Sequence, residues 1–211
     1  MMSESQPPSE FDAEFRAFAL AEKRARPPRN ALLFYGSSSI RFWTTLENDF
    51  PGIPVINRGF GGSTLAEGVR EMPRLLYPLK PCAVVLYAGE NDLNLGASPE
   101  QLLGIFKEFA RQLELHGGPV PFVFISIKPS PARAGMIETV RRANALVCEE
   151  IRQWPYGSYL DVFSLMLDAR GNARHEFFSD DWLHMSGAGY RLWSEQLRER
   201  LDQLKLWRDE A

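Results

Sequence analysis

The chain has 211 residues, 45% hydrophobic and 24% charged, with a net charge of −3. That apolar content suits one sizeable α/β core and leaves little for a second, so residues 1–211 are expected to form one domain, with 1–29 as an extension and outer helix. No run of Lys or Arg makes a patch, which disfavours nucleic acid or an anionic membrane as partner and leaves a small molecule. Residues 1–8 are polar and proline-bearing without an apolar signal core, and no apolar run nears the ~18 residues of a membrane span, so a cytoplasmic location is expected. Cys82 and Cys148 read as buried small hydrophobes, and three histidines, His116, His175 and His184, supply a metal cluster poorly.

In chain order, Phe11, Phe15 and Phe18 mark one face of a helix over Ser9 to Arg24, with Ser9 and Asp12 resembling a capping box. Ala31 to Tyr35 is an apolar run that stops at Gly36 and Ser37-Ser38-Ser39, as a buried parallel strand does before a turn. Ile40, Phe42, Trp43 and Leu46 then recur at roughly helical spacing. A second strand, Pro54 to Arg58, ends in Gly59-Phe-Gly-Gly62; Leu65, Val69, Met72 and Leu76 predict the next helix, which Pro73 should kink or split.

Ala83 to Ala88 predicts a third strand ending at Gly89-Glu-Asn-Asp92. Ser98-Pro-Glu-Gln101 combines an N-cap, a first-turn proline and a capping-box glutamine, and His116 and Gly117 close the helix that follows. A fourth strand, Val120 to Ile127, leads to Lys128-Pro-Ser-Pro131 and a helix carried by Ile137, Val140, Val147 and Ile151. A fifth strand, Ser158 to Phe163, precedes a long aperiodic stretch to His184. The last helix is expected to bury Tyr190, Trp193, Leu197, Leu201 and Leu204. Alternation of five strands with helices predicts a three-layer α/β/α fold on a parallel sheet. The flavodoxin-like order 2-1-3-4-5 is chosen because it sets strand one between strands two and three, beneath a switch point where ligands bind. Ser38, Gly62 and Asn91 then come from three adjacent strand ends, and the stretch from Ser164 to His184 must reach back to them.

Asp181-Trp-Leu-His184 puts a carboxylate three residues from an imidazole, so the acid can orient the ring and stabilise its protonated form. With a strand-end serine these are the parts of acyl transfer. The Ser38 and Gly62 amides and the Asn91 carboxamide could hold an oxyanion. Each part also has a structural reading. Turn serines cap helices, Gly62 can be a turn glycine, Asn91 an Asx turn, and Asp181 and His184 can decorate a helix start capped by Ser186. Ile40 stands where a Gly-x-Ser-x-Gly elbow needs its second glycine, and Thr64 where a dinucleotide fingerprint needs its third.

Four blocks in order from Gly36 to His184 resemble those of the SGNH, or GDSL-type, hydrolases. Gly36-Ser-Ser-Ser-Ile40 is similar to the nucleophile block, Asn57-Arg-Gly-Phe-Gly-Gly62 to the glycine block, Gly89-Glu-Asn-Asp92 to the asparagine block and Asp181-Trp-Leu-His184 to the acid–histidine block. The resemblance implies Ser38 as nucleophile, His184 as base, Asp181 as its orienter, and Ser38, Gly62 and Asn91 as oxyanion donors. It implies a carboxylic or thioester substrate cleaved through an acyl-enzyme, with no metal or organic cofactor. Ser37 replaces the family's usual aspartate, leaving Ser37 as the reserve nucleophile ahead of Ser39, and Asp180 adjoins the expected acid. The altered block also motivates an alternative, a catalytically silent small-molecule-binding domain on the same fold. Trp182, with Trp43 and Phe60, could wall an acyl group, or be core. Lys128, with Ser130 and Arg133, could touch a polar leaving group; surface solvation is the other reading of Lys128 and Arg133. No exposed apolar face that would mark an oligomer interface can be read from the sequence.

Overall fold

Five short apolar segments carry the architecture, and the computed structural model describes residues 10–204 around them. In chain order the elements are α1 (Asp12–Arg24), β1 (Leu32–Gly36), α2 (Ser38–Arg41), α3 (Leu46–Asp49), β2 (Val55–Gly59), α4 (Leu65–Leu75), β3 (Ala83–Tyr87), α5 (Glu90–Asn94), α6 (Pro99–Gly117), β4 (Phe122–Ile125), α7 (Ile137–Ile151), β5 (Gly157–Leu160) and α8 (Gly187–Gln203). The strands form one parallel sheet in the order β2-β1-β3-β4-β5, as expected. No helix among the described residues is long and apolar enough to cross a membrane.

Side chains alternate across the strands and so feed two cores. Leu33, Tyr35, Val84, Leu86 and Phe124 face the layer of α1, α4, α6 and α7. Leu32, Phe34, Val85, Tyr87, Val123 and Ile125 face α8 and the α2–α3 segment, where Trp43 and Trp193 are fully buried. Both caps of α6 form as read: Ser98 accepts from Gln101 N–H at 3.1 Å, and Gln101 Oε1 accepts from Ser98 N–H at 2.7 Å.

Several expectations need correction. The Ser9 cap lies outside the described residues, and the residue at the cap position of α1 is Phe11, without a side-chain cap bond. The spacing after Ser38 does not make one helix. It makes two single turns, because Trp43 drops into the core and its Nε1–H donates to Asp49 Oδ2 at 2.6 Å. Pro73 does not split α4, which continues to Leu75; so near the end, proline forfeits one helical hydrogen bond. Leu204 is exposed just past α8. Both cysteines are free, and half-buried rather than fully buried.

Two glycines let the strand ends close on one another. A Cβ on Gly36, at φ +141°, would lie 1.9 Å from the Tyr87 carbonyl oxygen, and one on Gly59 would lie 2.1 Å from the Arg41 backbone nitrogen. The close approach at Gly36 lets Ser37 N–H donate to Tyr87 O at 3.0 Å, which turns the chain off β1 directly over β3. Gly36→Ala is therefore expected to destabilise the protein by about 3 kcal/mol or more, from steric overlap and a left-handed φ, read as a lower urea midpoint.

Candidate active site

Of the three serines after β1, two are packed away. Ser37 and Ser39 are buried, and the Ser39 carbonyl accepts the Tyr190 hydroxyl at 2.9 Å. Ser38 alone is half-exposed. Its Oγ is 3.0 Å from His184 Nε2, across 146 positions of sequence. His184 Nδ1 is 2.5 Å from Asp181 Oδ2, so the carboxylate on the ring is that of Asp181 and not Asp180.

The loop that carries this pair is tightly specified. Asp181 Oδ1 accepts the backbone N–H groups of Leu183 (2.9 Å) and His184 (2.8 Å) and the Ser179 hydroxyl (2.9 Å). Ser179 and His184 also bond through the backbone at 2.9 Å, and Ser186 caps α8 by accepting Gly189 N–H. The long stretch after β5 is ordered by 3₁₀ turns at Ser164–Met166 and His175–Phe177 and by bridges Leu167–Ala173 and Phe178–Met185. Phe42, read from the sequence only as one of a helically spaced series, packs edge-on against the His184 ring with centroids 4.9 Å apart. Its 43% exposure beside a histidine is the only signal, and it exists only in three dimensions.

The glycine block is held from two sides. Asn57 accepts Gly59 N–H and donates to Ile40 O at 2.7 Å, tying β2 to α2. From the other side, Asn91 Nδ2 donates to Ser63 O at 3.0 Å and Asp92 accepts Leu65 N–H at 2.7 Å, at the start of α4. Burial raises the Asp92 carboxyl above its usual range despite those amide bonds. Gly62, at φ +76°, is exposed between these ties. Among the described residues, neither its N–H nor that of Ser38 donates to a backbone carbonyl.

Behind Asn91 lies a buried charged cluster. Lys128, 2% exposed, and Glu90, 5% exposed, form an ion pair, and Tyr87 donates to Glu90 Oε2 at 2.9 Å. Arg133 places Nη1 3.5 Å from Glu90 Oε1 and donates from Nη2 to Asn91 Oδ1 at 3.0 Å. Lys128 and Arg133 are thus not solvated surface charges: an unpaired buried carboxylate is costly, so both are drawn inward. Burial opposes ionisation of Glu90, but the facing charges of Lys128 and Arg133 prevail and hold its carboxyl below the usual range.

The aromatic candidates separate. Phe60 is buried against Phe11 and Phe15, and Trp43 against Phe34, Phe50 and Tyr190, so both are core. Trp182 is 44% exposed at φ +56°, and its carbonyl accepts Ala132 N–H at 3.0 Å. A cavity of about 800 Å³ lies beside this strap, lined by Glu90, Lys128, Ser130, Arg133, Arg174 and His175 among others; Ser38 is not part of its lining.

What burial Asp181 has opposes its ionisation, and the bonds from His184, Leu183 and Ser179 more than reverse that, holding the carboxyl well below its ordinary 3.8. A folded value below the unfolded one means that these bonds contribute fully above the ordinary carboxylate range and are lost as pH falls through the folded value. The Asp181 carboxyl carbon is expected to show no titration from about pH 7 down to about pH 3 by ¹³C NMR, whereas an ordinary aspartate titrates near pH 4.

Residues 33–192 match the GDSL-like lipase/acylhydrolase family. A stretch of 76 residues is 33% identical to Esterase TesA of Pseudomonas aeruginosa, spanning 36% of this chain and 38% of that protein, so little more than a third of the relative is matched. Among solved structures, a GDSL-like lipase from Bacteroides thetaiotaomicron superposes with a TM-score of 0.75 at 17% identity, over 91% of this chain and 98% of that one. A lipase/acylhydrolase from Enterococcus faecalis gives 0.61 at 19% identity, over 82% and 95%. At such identities the structural likeness is one of fold.

Proposed function

This chain belongs to the GDSL-like lipase/acylhydrolase family, and from that premise we propose that it is a serine hydrolase that cleaves carboxylic esters through an acyl-enzyme on Ser38. The observation that carries the reading is the hydrogen-bonded series Ser38 Oγ, His184 Nε2 at 3.0 Å, and His184 Nδ1 to Asp181 Oδ2 at 2.5 Å.

His184 Nε2 takes the Ser38 proton as Oγ attacks the ester carbonyl carbon, and the Asp181 carboxylate stabilises the imidazolium that results. The carbonyl electron pair moves onto oxygen. The Ser38 and Gly62 amides and the second Nδ2 hydrogen of Asn91, whose first is on Ser63 O, receive that oxyanion. Arg133 supports the step at one remove, since its bond to Asn91 Oδ1 turns Nδ2 the other way. When the tetrahedral adduct collapses, the ester C–O bond breaks and the imidazolium proton passes to the departing alcohol. Water, deprotonated by His184, then attacks the acyl-enzyme, releasing the carboxylic acid and restoring Ser38. α2 is a single turn, so its dipole adds little, and the donors named here supply the stabilisation.

A fluorophosphonate is expected to label Ser38 covalently in the wild type and in Ser37→Ala, but not in Ser38→Ala, as read by peptide mass spectrometry. Ester hydrolysis by Ser38→Ala should fall by about 10³-fold or more, and by Asp181→Asn about 10²–10⁴-fold. Absence of both labelling and turnover in the wild type would instead favour a silent binding domain on this fold. Asn91→Ala should lower kcat by about 10²-fold with KM changed only a few-fold, because its contribution is made to the oxyanion and not to bound ester.

A further inference from the structure

On the acyl-enzyme reading of Ser38, on which this inference rests, His184 acts twice, and its surroundings change between the two steps. While Ser38 is free, the imidazole is held at both nitrogens: Nδ1 lies 2.5 Å from Asp181 Oδ2 and Nε2 lies 3.0 Å from Ser38 Oγ. Acylation turns Oγ into an ester oxygen with no proton to donate. One of the two ties is then gone, at the stage where Nε2 must receive a proton from water.

The tie that remains does not fix the ring relative to the nucleophile. Asp181 and His184 share one loop, and Asp181 Oδ1 accepts the N–H groups of Leu183 and His184, so the carboxylate moves with the imidazole it orients. The main chain around that loop is located by the Tyr190 hydroxyl on the Ser39 carbonyl and by Ala132 N–H on the Trp182 carbonyl. Neither contact stops the His184 side chain from turning about its own bonds. Trp182 does not brace the ring, because it stacks with His175 at 4.6 Å. Asp181 is exposed and His184 half-buried, so water competes for the bond between them.

Phe42 supplies what is missing. It follows Ser38 by one helical turn, which sets the two side chains on one face, and its N–H donates to the Ser38 carbonyl at 2.8 Å. Its ring meets the His184 ring at 89° with centroids 4.9 Å apart, an edge-to-face geometry that aromatic quadrupoles favour. Phe42 is itself held, since the Arg41 guanidinium carbon lies 5.3 Å from its ring centroid and Arg41 pairs with Glu14 at 3.2 Å. We propose that Phe42 is a positioning residue for deacylation: mounted on the nucleophile's own turn, it keeps the imidazole aimed at acylated Ser38 after their hydrogen bond has gone. In that step His184 Nε2 takes a proton from water while the water oxygen bonds to the acyl carbon and the carbonyl pair moves onto oxygen. Collapse then breaks the bond from the acyl carbon to Oγ, and the imidazolium returns its proton to Oγ. Phe42 exchanges no proton and acts through His184.

The test separates the two half-reactions in the purified full chain with nitrophenyl acetate. Release of nitrophenol reports acylation, and quenched intact-protein mass spectrometry follows the gain and decay of the acetyl group on Ser38. Phe42→Ala should slow deacylation about three- to tenfold and acylation by less than about twofold, so that acetylated protein accumulates. Phe42→Leu, which keeps the apolar bulk and hence the fold, should slow deacylation about two- to threefold and leave acylation unchanged. Hydroxylamine, an acyl acceptor that needs little help from a base, should discharge the acetyl group equally fast from wild type and variants. Equal slowing of both half-reactions, a change in KM alone, or an acetylated fraction unmoved in both variants would overturn the role of Phe42, while the acetyl adduct upholds the acyl-enzyme. A wild type that forms no acetyl adduct and takes no fluorophosphonate overturns the acyl-enzyme reading and this role with it.

Discussion

The contact that the site depends on is the passage of the Gly36 backbone over the Tyr87 carbonyl, where a Cβ would sit 1.9 Å from oxygen. Because nothing projects from Gly36, the chain can leave β1 at a positive φ, bond Ser37 N–H to the end of β3, and put the next residue at the rim of the sheet. Serine at position 38 is outward because 37 and 39 are inward: both neighbours are buried, and the following turn is anchored by Tyr190 on the Ser39 carbonyl. A serine held this way owes its direction to backbone packing and not to its own side-chain preferences.

The other strand ends are drawn to the same rim by polar ties rather than apolar ones. Asn57 joins β2 to α2, Asn91 joins the end of β3 to the glycine turn, and Asp92 receives the first amides of α4. α1 lies across the glycine turn, its Phe15 and the preceding Phe11 on Phe60 and its Glu14 on Arg41. What began as an outer helix in the sequence is therefore a brace for the turn that presents Gly62. Asn144 does the equivalent for β4, accepting Ile127 N–H and donating to Ile127 O, which sets Lys128 inward.

That inward turn joins the asparagine block to a buried electrostatic device. Glu90 and Lys128 are removed from water and the half-buried Arg133 closes over them, an arrangement whose net contribution to stability is small beside what it orients. Here the guanidinium fixes the Asn91 carboxamide from one side while the Ser63 carbonyl fixes it from the other. The Asp181 loop is built on the same logic, one carboxylate oxygen spent on the loop's own amides and the other on the imidazole. Positioning is thus distributed over three loops: the acid–histidine loop is bonded largely to itself, while the glycine and asparagine loops hold each other.

The strand and helix order and the parallel sheet were legible in the sequence from local signals: apolar runs without alternation, capping residues and glycines at strand ends. The four blocks with Ser38, Gly62, Asn91, Asp181 and His184 were legible through their resemblance to those of a known family. The fates of single side chains were not legible. Phe60 and Trp43 went to the core, Phe42 to the histidine, and Lys128 and Arg133 from expected surface to partners of Glu90, Lys128 buried and Arg133 half-buried. Which way these side chains go depends in large part on neighbours distant in sequence, as Glu90 is from Lys128 by 38 positions, and only the folded sheet brings such neighbours within bonding distance. The sequence by itself determined which elements form and which residue types stand at their ends; the tertiary structure decided which of those ends meet, because local propensity has no term for contacts made across the fold.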